Sequence, residues 1–435
     1  MNAMSLYLGV SRKDITPAVG GNLYGYYPDL YSTELHDPLD VTALVFGYGE
    51  KKILLISATV CSVSNALADH IRTMIETKTG ICADDIILAA THTHTGPNLN
   101  SAIGWGDMDR PYCDGIFVPQ LLAAVEEAMA VMVPVQVGIA SGESQVGINR
   151  RQLLEDRVTL GQNPWGPYDP TMTVLSFRSE DKVVANIVHY GCHGTSAGHY
   201  TAISRDWSGI MMDALETVSG GTTVFLNGPE GDVGPRISNG KTIGNDGMKF
   251  VIELGQKAAE DAIRIYRSIT SYQDMDMEIH KGAIQLPLQH RPSPEEARAG
   301  LEEFSTKTRN LGAKKAYYYR QVLESYENGY EELPSRPLRQ WLLRLGDTVI
   351  VTTGCELFSE IGLRIKSASS YRVLTTVLAN GSDGYFATDS QLCLGGYEIG
   401  SFLTDHLQPF AAHADWHFVK ETLQHIEETL GGCKE

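Results

Sequence analysis

Short runs rich in Val, Ile and Leu alternate with longer stretches of helical periodicity along most of this chain. That alternation narrows the fold to an α/β architecture, with a mixed, largely parallel sheet flanked by helices. Strands are predicted at 53–57, 85–90, 135–140, 172–177, 183–189, 222–226 and 372–378, with a hairpin over 342–352 turning at Gly346-Asp347. Helices are predicted at 65–77, 116–132, 207–218, 247–268, 357–367 and 416–430, with Pro134 stopping the second. At 435 residues the chain can bury a core without disulfide staples, and it reads as one unit, 1–435. Within it, 292–337 differs from its surroundings. It opens on Ser293-Pro-Glu-Glu, a helix start with proline in first position, and continues as two charged helical stretches divided near Asn310-Leu-Gly, with Tyr317, Tyr318 and Tyr319 clustered. We expect an inserted helical hairpin, either a solvated arm or oligomer contact, or a lid over a substrate.

Charge removes two classes of partner. With 35 basic and 53 acidic side chains the net charge is −18, so phosphate backbones and anionic lipid faces are repelled; neither nucleic acid nor stable membrane association is expected. A small-molecule substrate is the expected partner, and the sequence leaves the oligomeric state open. Seven cysteines are scattered with no Cys-x-x-Cys pair, which suits a reducing, cytoplasmic setting. No basic and apolar leader opens the chain, no run reaches the length of a membrane span, and Met1-Asn-Ala-Met4 is set aside as a leftover of expression.

Chemistry concentrates where predicted strands end. In Ile86-Ile-Leu-Ala-Ala-Thr-His-Thr-His-Thr-Gly-Pro-Asn98 a buried strand runs into a His-Thr-His loop, at the carboxyl end where open α/β sheets place their ligands. In extended backbone, residues two apart face one side, so His92 and His94 can share a cleft, one as a metal ligand and the other as a general base. Val188-His-Tyr-Gly-Cys-His-Gly-Thr-Ser196 repeats the pattern, with His193 where the strand gives way. Val224-Phe-Leu-Asn-Gly-Pro-Glu-Gly-Asp-Val-Gly-Pro-Arg236 is a strand with a glycine-rich turn but lacks the Gly-Lys-Ser/Thr ending of a phosphate-binding loop; Glu230 and Asp232 are candidates to orient a histidine ligand. Glu356 follows another apolar strand, where it is either a ligand or an ordinary acid at a helix start. Cys192 and Cys355 adjoin His193 and Glu356 but point to the opposite face and read as core thiols.

Taken in order, these segments resemble the catalytic domain of the neutral (alkaline, non-lysosomal) ceramidases. The family's Asp-Ile-Thr-Pro and Gly-Tyr stand here as Asp14-Ile-Thr-Pro17 and Gly25-Tyr26, and its Thr-His-Thr-His-Ser-Gly-Pro as Thr91-His-Thr-His-Thr-Gly-Pro97. Asn149-Arg150, His193-Gly-Thr-Ser196, Ser204-Arg-Asp206, Cys355-Glu-Leu and the paired Tyr385 and Tyr397 complete the match. The resemblance implies a single catalytic domain, a zinc ion (Zn2+) held by His92, His193, Glu356 and Tyr385, His94 as general base, and Arg150 and Tyr397 against the substrate or its oxyanion. Asp206 and Arg236 are expected on the substrate side. Three departures stand out. Gly234 replaces the family's serine, which excludes a serine nucleophile there. Arg236 and Trp207 each replace an asparagine, so the head-group pocket is expected to differ. Too few residues follow Tyr397 for the family's immunoglobulin-like C-terminal domain.

The sequence therefore predicts a zinc-dependent hydrolase, in the first place an amidohydrolase that uses a zinc-activated water on a small soluble N-acyl substrate, with Arg150 or Arg236 pairing an anionic group on it. The alternatives are a true ceramidase, a metal-dependent ester or phosphoester hydrolase, and a non-catalytic ligand-binding relative.

Overall fold

The computed structural model describes residues 5–240 and 246–430; Met1–Met4 and Cys433 lie outside them. Its centre is an eight-stranded sheet in the order Thr222–Asn227, Lys182–Tyr190, Thr171–Ser179, Val133–Glu143, Leu6–Asp14, Asp40–Tyr48, Lys51–Ala58, Ile86–Ala90. The sheet is mixed, as expected, but antiparallel pairing dominates it. Only the outermost pair at each edge is parallel, Lys182–Tyr190 with Thr222–Asn227 and Lys51–Ala58 with Ile86–Ala90. Tight turns, one at Gly49 (φ +61°) and one between Ser179 and Lys182, join two of the antiparallel pairs as hairpins, the others close over long connections, and the two pairs joined through a helix come back parallel. Leu6–Asp14 and Asp40–Tyr48, which sequence periodicity did not pick out, supply the middle of the sheet.

A second sheet, Met277–Pro287, Ser335–Leu345, Thr348–Thr352 and Arg372–Thr376, packs on one face of the first. Phe46, Phe177, Trp341 and Leu343 belong to the apolar layer between them. Helices cover the opposite face: Asn65–Thr79 and Val118–Ala130 over the half that carries Leu54 and Ile86, Asp206–Ser219 and Met248–Arg267 over the half that carries Val174 and Phe225. Ser64 caps the first helix through its hydroxyl, and Gly80 at φ +75° ends it. The expected hairpin at Gly346 is present, and 292–337 contains two helices, Pro294–Phe304 and Asn310–Glu327, the first opened by a reciprocal Ser293–Glu296 capping box. No helix among the described residues is long and apolar enough to cross a membrane.

The two edges of the large sheet curve toward each other. Ser57 Oγ donates to the Phe225 carbonyl (2.9 Å), and Asn227 Nδ2 to that of Thr91 (3.4 Å). Asn380 ties in the second sheet's end, accepting from Leu88 N–H (2.8 Å) and donating to the Ile86 carbonyl (3.0 Å). Segments far apart in sequence thus bring their strand ends to one place.

Candidate metal centre

The first arm of the centre leaves the buried strand Ile86–Ala90 and turns at once. His92 lies at φ +68°, a left-handed conformation that costs an L-residue roughly 1–2 kcal/mol. Its N–H donates to Val60 O (2.9 Å) and its Nδ1 faces Cys61 O at 2.8 Å, which makes Nδ1 the protonated nitrogen and leaves the Nε2 lone pair facing the cavity. His92 and His94 do share one cleft. The alternation of an extended strand is not what turns them there; the left-handed residue is.

His193 forms the second arm. Its Nδ1 sits 2.9 Å from Glu230 O and 3.1 Å from Val233 O, so backbone carbonyls again fix the ring. The two histidine loops are laced together: His94 N–H donates to Gly194 O (3.1 Å), and a Cβ at Gly194 would stand 2.7 Å from His92 O. Behind them Asp206 (φ +55°) accepts from Ser196 and Ala197 N–H at 3.1 and 3.0 Å, and Trp207 Nε1 donates to His193 O at 2.9 Å. Asp206 and Trp207 therefore shape the loop from behind and do not reach the cavity.

Glu356 and Tyr385 arrive together, because the short strands Cys355–Leu357 and Gly384–Phe386 pair in parallel with these two residues opposite each other. Glu356 Oε2 lies 3.4 Å from His92 Nε2 and 3.3 Å from His193 Nε2, and Tyr385 Oη is 3.5 Å from His193 Nε2. The ligand atoms of His92, His193 and Glu356 fall within 4.8 Å of one another, and Glu356 Oε2 is buried with no hydrogen-bond donor. Three lone-pair-bearing atoms facing one point are what a cation satisfies, and two imidazole nitrogens with one carboxylate oxygen suit zinc. A proton on His92 Nε2 would satisfy Glu356 from the same place as a cation: in that state, against burial, His92 holds the Glu356 carboxyl well below the usual range, and Cys61 and Glu356 hold His92 well above 6.5. Burial, Arg150 and His92 bring His193 down to about 3.

His94 Nε2 is 3.3 Å from His92 Nε2, while its Nδ1 is buried without a partner. Burial, then the neighbouring His92 and His193, push its pKa well below 6.5, so it is a neutral base. Cys61, His92 and His94 form a second close triple, but His92 Nδ1 is already committed to the Cys61 carbonyl and burial pushes the Cys61 thiol up, away from the thiolate that binds metals.

The other predicted residues divide. Tyr397, at the start of the helix Tyr397–Phe402, lines the cavity with its ring 5.7 Å from that of Tyr385; burial raises both phenols. Arg150 stands behind Tyr385, donating to its Oη (2.8 Å) and to Glu398 (2.9 Å), and does not line the cavity. Arg236 turns outward to the carbonyls of Gln145 and Gly147 (3.0 and 3.1 Å), and neither it nor Trp207 lines the cavity. Glu230 and Asp232 do not orient a histidine through their carboxylates. Asp232 accepts from Ser359 N–H (2.7 Å) and Asn149 (3.1 Å), and the Glu230 carboxyl, pushed up by burial, has no partner. Cys192 and Cys355 are core thiols.

The cavity beside the centre measures about 490 Å³. Tyr24, Cys61 and Trp105 form part of its wall, and the helix Asn310–Glu327 forms another part through Lys314 and Tyr317. This helix is docked: Asn310 N–H donates to Gly104 O (2.8 Å), and Arg309 pairs with Asp29 (2.6 Å). Arg336 also lines this space. No motif marks Lys314 or Arg336; the closest sequence signal is the aromatic cluster at 317–319.

The sequence pattern of the neutral/alkaline non-lysosomal ceramidase N-terminal domain matches residues 6–262. The fold is similar to that of neutral ceramidase from Pseudomonas aeruginosa, at 18% identity and a TM-score of 0.72, over 98% of this chain and 75% of that one. A structure of a ceramidase complexed with C2 aligns likewise, at 18% identity and a TM-score of 0.71, over 98% of this chain and 76% of the other. Among curated proteins no sequence matches the chain.

Proposed function

This chain belongs to the neutral/alkaline non-lysosomal ceramidase family, hydrolases of the ceramide amide bond, and we propose that it is a zinc-dependent amidohydrolase acting on an N-acyl compound bound beside His92. The observation that carries the reading is the convergence of His92 Nε2, His193 Nε2 and Glu356 Oε2, each ring fixed through Nδ1 by backbone carbonyls. Zinc, when bound there with the Tyr385 phenol beside it, supplies Lewis acidity that makes water acidic near neutral pH and polarises an amide carbonyl.

The chain's own residues do the rest. His94, neutral and 3.3 Å from His92, takes a proton from the attacking water at Nε2 and returns it to the departing amine nitrogen. The Tyr397 phenol faces the cavity as a neutral donor to the oxygen that gains charge as the carbonyl becomes tetrahedral. Arg150 is a positioning residue: held by Glu398, it fixes the Tyr385 hydroxyl. Family membership favours ceramide as substrate. The cavity's polar wall, with Asn65, Asn100, Lys314 and Arg336, favours a smaller and more polar N-acyl compound. A cytoplasmic setting belongs to the same proposal and is supported by six free cysteines among the described residues.

The test is amine release from detergent-dispersed ceramide and from a panel of soluble N-acyl amides, with zinc-loaded and chelated protein. Cleavage of at least one amide, lost on chelation and restored by zinc, supports the reading; no amide cleaved, or cleavage indifferent to metal, contradicts it.

A further inference from the structure

The cavity holds a cation that the catalytic reading leaves unused. Arg336, near the start of the strand Ser335–Leu345, is half-buried and lines the same space as His92 and Glu356. Among the described residues its guanidinium makes no ion pair and no hydrogen bond; it stands 5.8 Å from the centroid of the Phe410 ring and, with burial as the larger cause, helps keep the cavity's His406 neutral. The acids that share the cavity are already engaged. Asp405 is paired with Lys314, which also donates to Ser401 Oγ (2.7 Å), and Asp383 accepts from Asn65 Nδ2 (2.9 Å). Arg150 and Arg236, the arginines the sequence offered for this task, are committed elsewhere. A guanidinium facing a cavity without a partner has two parallel N–H groups to offer, the geometry that a carboxylate accepts in bidentate fashion.

We propose that Arg336 is a specificity-determining residue, and that the substrate is an N-acyl compound carrying a carboxylate on the part of the molecule away from the scissile amide. Lys314 adds positive potential next to it, largely balanced by Asp405. The inference rests on the amidohydrolase reading for its reaction but on Arg336 alone for its selectivity.

The test uses matched probes on the zinc-loaded protein. N-hexanoylglycine carries the carboxylate on the amine side, and the N-propyl monoamide of adipic acid carries it on the acyl side. Each is compared with its neutral carboxamide counterpart and with a counterpart bearing a primary amine. We expect at least one acid to exceed its neutral counterpart by about tenfold or more in kcat/KM, as a desolvated charge-assisted pair gives. The excess should fall to within about twofold in Arg336→Gln and be partly kept in Arg336→Lys. Equal handling of acid and neutral probes, preference for the amine, or an acid preference that survives Arg336→Gln overturns the proposal. The same probes are titrated calorimetrically into His94→Ala protein, where slow turnover leaves them intact. Selective binding of the acid there supports the anion site even if no amide is cleaved, which would remove only the hydrolase reading; equal binding of all three probes overturns the site. If Arg336→Gln does not fold, the wild-type ratio and its reduction in Arg336→Lys decide.

Discussion

A side chain at position 25 would overlap the imidazole of His94: a Cβ built on Gly25 stands 2.3 Å from His94 Nδ1, and Gly25 lies at φ +123°. The turn that carries Gly25-Tyr26 is thus a mould for the ring proposed as general base, with Tyr26 closing the other side at 4.9 Å between ring centres. Gly25→Ala should displace His94 without touching a ligand. We expect kcat to fall by roughly tenfold or more, as a misplaced proton carrier would cause, with metal content unchanged. Rate and elemental analysis on one preparation check it; loss of metal in step with rate would assign Gly25 to the ligand shell instead.

The pH profile follows from the same ring. Burial and the neighbouring imidazoles hold His94 well below 6.5, so it stays unprotonated, and able to accept a proton, as pH falls through that value. The acid limb of kcat/KM should therefore lie below pH 6.5. A limb centred at an ordinary histidine value would mean that His94 is not the base.

Arg150 joins the centre to its support. Glu398 is only 1% exposed and receives Arg150 at 2.9 Å and Arg151 at 2.7 Å. Arg150→Met leaves this buried carboxylate with one cation and frees Tyr385. We expect a loss of about 2 kcal/mol or more in unfolding free energy, together with a reduced rate. A melting curve like that of wild type would show that Arg151 alone suffices.

A stability effect away from the centre has a definite sign. His189 is buried with Nε2 2.8 Å from Thr375 O, and burial lowers its pKa to about 4. Between pH 6.5 and about 4 the unfolded chain takes up this proton more readily than the folded one, so the neutral ring's contribution is full above that window and is lost as pH falls through it. Any gap in stability between wild type and His189→Gln at pH 7 should shift against wild type by about 2 kcal/mol at pH 5. Denaturant melts of both proteins at the two pH values measure it; a constant gap would show that His189 titrates normally.

Much of the candidate centre was legible because the residues brought together there follow buried strands and keep a recognisable order. Ile86–Ala90 and Lys182–Tyr190 end beside His92 and His193, as the apolar runs indicate. Glu356 and Tyr385 needed the resemblance, since nothing in either segment alone says that two three-residue strands pair and set them opposite each other. The reason His92 and His94 share a cleft was misjudged, because a left-handed φ at a histidine leaves no trace in the pattern. Arg236 looked like a substrate contact by position in a motif, yet the short pairing of Val233–Pro235 with Gly147–Asn149 carries it to the outer surface. Arg336 and Lys314 were invisible for the converse reason: they come from a strand start and a helix in no motif, and only the folded chain brings both to the wall of one cavity. The sheet is less parallel than its apolar runs suggest, because Leu6–Asp14 and Asp40–Tyr48 continue the core by antiparallel pairing rather than by helical crossovers.

The most direct measurement is the metal content of purified protein, taken beside amide hydrolysis, for wild type and His193→Ala. We predict about one zinc per wild-type chain, as a site of two imidazoles, a carboxylate and a phenol would hold, with metal and turnover both lost in His193→Ala. Wild-type protein that hydrolyses an amide with no bound divalent metal, or a His193→Ala variant that keeps both zinc and full rate, would contradict the account.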